Sequence, residues 1–292
     1  VTYPGQEPGG LNRRHVVFRH RGLSGLDQIY TAISTVANSS LDYYNWRIQG
    51  GTGFTANNLP ASYGDLSSGM GLVNPSPEVH VMPMWNQPMP YWFVANGRRW
   101  WVVVKVSTQN ESCGAGFVLP PSAPSKSPYP LALWGSMNQT NLRWSDVSNA
   151  HLGITTGTAS MRLPTGAWAL FQGLFSTGER RYQLLPTGQY INTVPSGTSP
   201  AFREAPSVRL ANMRDSFGGG FPLKPVSLVR ARNGTGPITG GVAPFGEADG
   251  LYWVPTFNNG AEDVIQVGGV NYVVFQTAQR SGSPYLFALR MQ

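Results

Sequence analysis

Four histidines, His15, His20, His80 and His151, a single cysteine, Cys113, and two acidic pairs, Glu247/Asp249 in FGEADG and Glu262/Asp263 in NGAEDV, hold most of the chemistry that this sequence offers. A metal site needs several such ligands to converge, yet His15 and His20 stand five apart in a basic stretch with no carboxylate nearby in sequence. His151 follows WSDVSNA, where Asp146 is placed to hold it by a hydrogen bond. That is more often a local turn device than half of a catalytic triad. Two carboxylates facing each other across a cleft would serve glycoside hydrolysis. Both acidic pairs, however, sit in Gly-rich turns, where such side chains routinely cap loops. Gly218-Gly219-Gly220 leads into Pro222 and not into a helix, so it lacks the helix N-terminus that phosphate binding uses. No G-x-S-x-G elbow, Walker loop or H-E-x-x-H pair occurs. The reading is a protein without enzymatic activity, with no catalytic, cofactor-binding or metal-binding residue to name and no cofactor expected.

The elements that would have to position such residues are strands. The 292 residues include 35 Gly and 24 Pro, with 12% charged and 12% aromatic residues. That balance is poor in helix-surface residues and rich in turn and strand formers. Cys113 alone excludes an intramolecular disulfide framework and a Cys-based zinc site, and in NESCGAGF it reads as a buried structural thiol. A chain without disulfides suits assembly in a reducing cytoplasm. No apolar run approaches the eighteen or so residues that cross a bilayer, and VTYPGQEPGGLNRR lacks the basic-then-apolar pattern of a signal peptide.

One segment predicts a helix. In SGLDQIYTAISTVAN, Ser24 is the N-cap candidate with Asp27 three residues on, and Leu26, Ile29, Tyr30, Ile33, Val36 and Ala37 recur at helical spacing. Strands are expected in HVVFRHR, LDYYNWRIQ and EVHVMPMW. The densest apolar stretch, PYWFVANGRRWWVVVKVS, predicts a hairpin turning at Asn96-Gly97. Trp101, Val103 and Lys105 then face one side, and Trp100, Val102, Val104 and Val106 the other, as for a strand between two layers. A similar plan closes the chain: a strand to Val267, the turn Gly268-Gly269, a strand Tyr272 to Thr277 and a last strand Tyr285 to Met291. Leu-Pro-Thr-Gly turns at Pro164-Thr165-Gly166 and at Leu185 to Gly188 add further hairpins. The expected fold class is mainly β, α+β in having one N-terminal amphipathic helix, with antiparallel sheets or a sandwich built from hairpins. Residues 1–292 form one β-rich unit, divisible into a helix-plus-hairpin lobe, 1–135, and a second hairpin-rich lobe, 136–292.

The formal charge is +7, and of the 21 basic residues only Lys105, Lys126 and Lys224 are lysines. The arginines come as scattered pairs, among them Arg98/Arg99, Arg180/Arg181 and Arg230/Arg232, which are the candidate interface residues. Arginine suits planar pairing with carboxylates and stacking at protein interfaces, whereas a nucleic-acid binder concentrates its cations on one stripe. The nine tryptophans read as core or interface anchors, with sugar stacking as the alternative.

Several stretches together resemble a family of virion structural proteins of tailed bacteriophages. They are SGLDQIYTAISTVANSSLDYYNWRI, NGRRWWVVVKVS followed by GFVLPPSAPSKSPYPLALWGS, RWSDVSNAHLGI before MRLPTGAWALFQ, and the closing YVVFQTAQRSGSPYLFALRMQ. The segment HLGITTGT, His151 to Thr158, departs from the loop expected there. The resemblance implies a virion protein assembled in the host cytoplasm, a tail, baseplate or head-to-tail subunit in a multi-copy ring. Its partners would be other virion proteins and copies of itself, with non-specific contact to packaged DNA left open and no membrane span. A carbohydrate- or receptor-binding virion module and a capsid decoration protein are the alternatives.

Overall fold

A computed structural model describes residues 2–6, 12–20, 29–54, 72–73, 80–119, 131–137, 143–145, 158–162, 168–171, 180–184, 223–231, 242–254, 259–276 and 286–292. They form nineteen strands. The first seven are β1 (Thr2–Gln6), β2 (Asn12–His20), β3 (Ile29–Asn38), β4 (Tyr43–Gly51), β5 (Gly53–Phe54), β6 (Leu72–Val73) and β7 (His80–Met84). The middle of the chain gives β8 (Tyr91–Asn96), β9 (Arg99–Val106), β10 (Gln109–Leu119), β11 (Leu131–Met137), β12 (Thr158–Arg162), β13 (Trp168–Phe171) and β14 (Arg180–Leu184). The last five are β15 (Lys224–Ala231), β16 (Val242–Val254), β17 (Val264–Val267), β18 (Val270–Gln276) and β19 (Leu286–Arg290).

All pairings are antiparallel. One run of neighbours goes β1, β2, β3, β4, β7, β11. From β11 the sheet continues one way through β12 to β13 and the other way through β10 and β9 to β8. The end of β10 pairs with β16, which opens a further layer: β14, β15, β16, β19, β18, β17. Strand β9 is the meeting point. Trp100 stacks on Phe18 of β2 at 5.2 Å, while on the opposite face Trp92, in register with Val103, meets Phe275 of β18 edge-on at 5.0 Å. The strand expected between two layers is therefore present, and Arg99 to Val104 are buried on both its faces.

The helix expected from Ser24 to Asn38 is corrected: Ile29–Asn38 is strand β3, and Ser24 to Gln28 lie outside the described residues. β3 lies between β2 and β4, and Thr31, Ala32, Ile33, Ser34 and Val36 are all buried. A strand covered on both faces shows no apolar–polar alternation, so its apolar residues matched a helical period by chance. The Ile, Thr and Val content of IYTAISTVAN is the signal that favours the strand. Among the described residues the only helical element is one 3-10 turn, Ser39–Leu41, where Asn38 Oδ1 accepts from the Ser40 and Leu41 amides. No helix there is long and apolar enough to cross a membrane.

The Asn-Gly hairpin forms, but one residue later than expected. Asn96 pairs with Arg99, the turn residues are Gly97 and Arg98, and neither has a positive φ. Asn96 Oδ1 accepts from the Arg98 and Arg99 amides and so organises the turn from outside it. Gly268 and Gly269, at φ +56 and +78, make the β17–β18 turn as expected. β12 and β13 pair antiparallel with Arg162 opposite Trp168, and the turn expected at Pro164-Thr165-Gly166 lies outside the described residues. Residue 135 lies inside β11, and the β10–β16 pairing also joins the two stretches divided there.

Candidate functional site

The shifted turn sets the fate of the first arginine pair. Arg98 occupies the turn and is 49% exposed, whereas Arg99 begins β9 and is 1% exposed. Strand alternation puts Arg99 on the Trp101 face, toward β16 and β19. Its Nη1 lies 2.6 Å from Asp249 Oδ1, and Nη2 donates to the carbonyls of Arg290 and Gln292. Arg98 Nε approaches the other Asp249 oxygen at 3.3 Å. The guanidinium of Arg99 lies against Gly250, where a Cβ would come within 2.3 Å of its Cζ. Gly250 also has φ +75, so conformation and space both call for glycine. Burial pushes the Arg99 guanidinium down from its ordinary range, and Asp249 opposes that shift.

In the sequence Arg99 reads as a candidate interface residue and Asp249 as half of an acidic pair, whereas the fold buries the two together. Asp249 is buried under two guanidiniums, while Glu247 is exposed. In the second acidic pair Glu262 bonds Lys105 Nζ, and Asp263 Oδ2 accepts from the Gly260 amide. Asp249, Glu262 and Asp263 thus serve ion pairing and turn capping. Arg180 and Arg181 open β14, where Arg181 is the register partner of Arg230 in β15. Arg232 lies outside the described residues, as does His151. Among the described residues no group of three His, Cys, Asp or Glu is placed to hold a metal. Cys113 is buried, and burial raises its thiol well above the usual range.

Trp101 joins this junction to the core. Its Nε1 donates to the Asp249 carbonyl at 3.0 Å, and its ring meets Trp134 edge-on at 5.1 Å. Opposite it in β10, added Cβ atoms at Gly114 and Gly116 would each come within 2.2 Å of the indole. The small residues of CGAGF are therefore a bed for one tryptophan. On the other face Trp100 Nε1 donates to Thr31 Oγ1 at 2.8 Å, and the same oxygen lies 3.0 Å from His20 Nε2. The Thr31 hydroxyl accepts from Trp100 and is shared with His20 Nε2, while His20 Nδ1 is buried without a partner.

Burial lowers both His20 and His80 to about 4, and a backbone hydrogen bond at Gly135 partly offsets the shift at His80. The unfolded chain protonates them near 6.5, so below that pH it binds more protons than the fold does. Stability is full above about pH 7 and falls as the pH drops toward 4, by about 3 kcal/mol for each histidine. Urea midpoints measured from pH 7.5 to 5 should decline progressively. A flat profile would mean that the imidazoles titrate normally.

A second aromatic cluster lies at the outer end of β7. Trp85 and Trp144 are partly buried with ring centroids 5.0 Å apart, beside exposed Asn86 and Gln87. Asn86 Nδ2 donates to the Tyr44 hydroxyl, and Gln87 Nε2 to Asn86 Oδ1, both at 3.3 Å. No single position in the sequence marked this cluster, because its members come from three separate stretches. No protein-family model matches the chain, and no curated protein is similar to it.

Proposed function

We propose that the protein is a non-enzymatic structural component of a tailed-bacteriophage virion, a tail, baseplate or head-to-tail subunit present in many copies arranged as a ring. The observation that carries this reading is where the exposed apolar side chains stand. Tyr91, Phe93, Val264 and Val267 are exposed on β8 and β17, which have one strand neighbour each among the described residues. Subunits of closed assemblies bury such surface against neighbours. Three of the four acidic residues considered for hydrolysis, Asp249, Glu262 and Asp263, are engaged in ion pairs and a turn, which accords with a scaffold role. Partners are other virion proteins and further copies of the chain, and exposed arginines such as Arg98 suit contact with carboxylates or with a DNA backbone. The test is composition. Particles banded in a density gradient from a culture that produces the chain should contain it in many copies per particle by quantitative mass spectrometry. Its absence from such particles overturns the reading.

The Trp85–Trp144 pair beside Asn86 and Gln87 favours a second reading, a glycan- or receptor-binding virion module, since sugars stack on aromatics and bond to amides. A glycan array would show binding that Trp144→Ala abolishes.

A further inference from the structure

Three guanidiniums meet where β9 reaches β16 and β19, and one carboxylate side chain answers them. Arg98 and Arg99 share the two oxygens of Asp249, so a single negative charge serves both. Arg290 is the third. Along β19, Phe287 and Leu289 join the core that contains β9, while Leu286 and Ala288 join the cluster of Tyr272 and Val274, so alternation puts Arg290 on the Tyr272 side. Tyr272 is its register partner, and the Tyr252 ring meets that of Tyr272 edge-on at 5.4 Å. The Arg99 guanidinium comes to the same place from β9. Its Nη2 donates to the Arg290 carbonyl, and it fills the space that a side chain at Gly250 would take.

This cluster holds more positive charge than it uses. Among the described residues the Arg290 guanidinium is in no ion pair, and the Nε atoms of Arg290 and Arg99 are both buried without a hydrogen-bond partner. Burial is the main cause that lowers the Arg99 pKa; Asp249 opposes it, and repulsion from Arg290 and Arg98 adds to it. At Tyr252 burial and Tyr272 raise the phenol, while Arg290 and Arg99 pull it back, so both guanidiniums lie within electrostatic reach of its hydroxyl. The hydroxyl keeps its proton at neutral pH and is able to donate. Solvent reaches Arg98, which is 49% exposed, and half-buried Arg290 and Tyr252.

We propose that Arg98, Arg290 and the Tyr252 hydroxyl bind a phosphate group, as free phosphate or as the phosphate of a small monoester, with Arg99 as the buried charge that draws it in. Like charges this close destabilise one another, and an anion between them removes that cost. Three guanidiniums against one carboxylate leave two unit charges over. A phosphate monoester carries about −1.5 to −2 at pH 7 and offers three acceptor oxygens, whereas a carboxylate brings one charge and two oxygens. Each phosphodiester of a DNA backbone also carries a single charge, which matches the excess less well.

This site belongs to the single chain and does not depend on the virion reading. Isothermal titration calorimetry of the purified protein at low salt, with inorganic phosphate and ribose 5-phosphate as probes, should show one saturable site per chain that weakens as chloride is added. Arg290→Gln should weaken phosphate binding by at least about tenfold. The melting temperature of that variant without phosphate should hold or rise, because Arg290 has no ion pair to lose and its repulsion of Arg99 goes with it. Arg290→Lys restores the charge without the planar fork and should recover part of the affinity. Tyr252→Phe keeps the ring on Tyr272 and should weaken binding by about fivefold. Absence of saturable binding with both probes overturns the proposal, and so does an Arg290→Gln protein that binds phosphate like the wild type. An Arg290→Gln protein that melts lower without phosphate overturns it too, since Arg290 would then be a structural clamp. A duplex oligonucleotide that binds the wild type, is lost with Arg290→Gln and is not displaced by phosphate would assign the cluster to nucleic acid instead.

Discussion

Replacing Trp101 by alanine should destabilise the fold by about 3 to 5 kcal/mol, the largest single loss expected from an apolar side chain here. The indole is fully buried, lies on Gly114 and Gly116, meets Trp134 edge-on and donates to the Asp249 carbonyl. The bed was shaped for the ring, and neither glycine has a side chain to move into the void. Trp101→Phe keeps most of the apolar contact but leaves the carbonyl without its donor, so it should fall well short of the alanine loss, by about 1 kcal/mol for the bond plus a smaller packing deficit. From the opposite direction, Gly116→Val overfills the same space and should cost about 1 to 3 kcal/mol. Urea denaturation of the three variants checks the order. A Trp101→Ala protein within about 1 kcal/mol of wild type would show that the β10 bed collapses onto the vacancy, contrary to close packing.

The hairpins were legible in the sequence because local signals determine them. Gly268-Gly269 needs two positive φ values, and the run from Arg99 to Val106 is too uniformly apolar for anything but a strand covered on both faces. β3 was misread for the same physical reason that β9 was read correctly. Both are covered on both faces, but in β3 the small polar residues Thr31 and Ser34 are buried among the apolar ones, Thr31 with the Trp100 indole of β9 as its partner, and no local period records that. The turn at Asn96 slipped by one residue because the sequence rule places Asn inside the turn. Here the Asn side chain instead accepts the two amides beyond it.

At the junction the sequence marked both residue types but not their meeting. Arg99 and Asp249 lie 150 positions apart in the chain, and only the crossing of β9 over β16 brings them to 2.6 Å. Each had a plausible local reading, an exposed contact past a turn and a carboxylate in a Gly-rich loop. The glycine at 250 was the one clue to a close approach, since φ +75 and the guanidinium packed against it both exclude a side chain. That β8 and β17 each have one strand neighbour among the described residues was equally invisible. Edge position is a property of sheet topology, and a strand's own sequence shows at most that nothing in it opposes pairing.

Asp249→Ala should cost about 3 to 5 kcal/mol, because it leaves the Arg99 guanidinium in the interior without its carboxylate. Arg98 cannot compensate, being itself a cation, and it is exposed enough to be solvated once Asp249 is gone. The cost belongs to the stranded charge more than to the lost attraction, so removing both charges should be gentler than removing one. An Arg99→Met, Asp249→Leu double variant should therefore recover part of the Asp249→Ala loss, and the cycle of single and double variants should show coupling in denaturant midpoints. Recovery will be incomplete, since the carbonyls of Arg290 and Gln292 then lose the Nη2 donor that ties β19 and the residues after it to β9. A double variant as unstable as Asp249→Ala alone would move the cost to those carbonyls. Arg99 would then be chiefly a clamp on the strand end, with Asp249 holding the clamp in place.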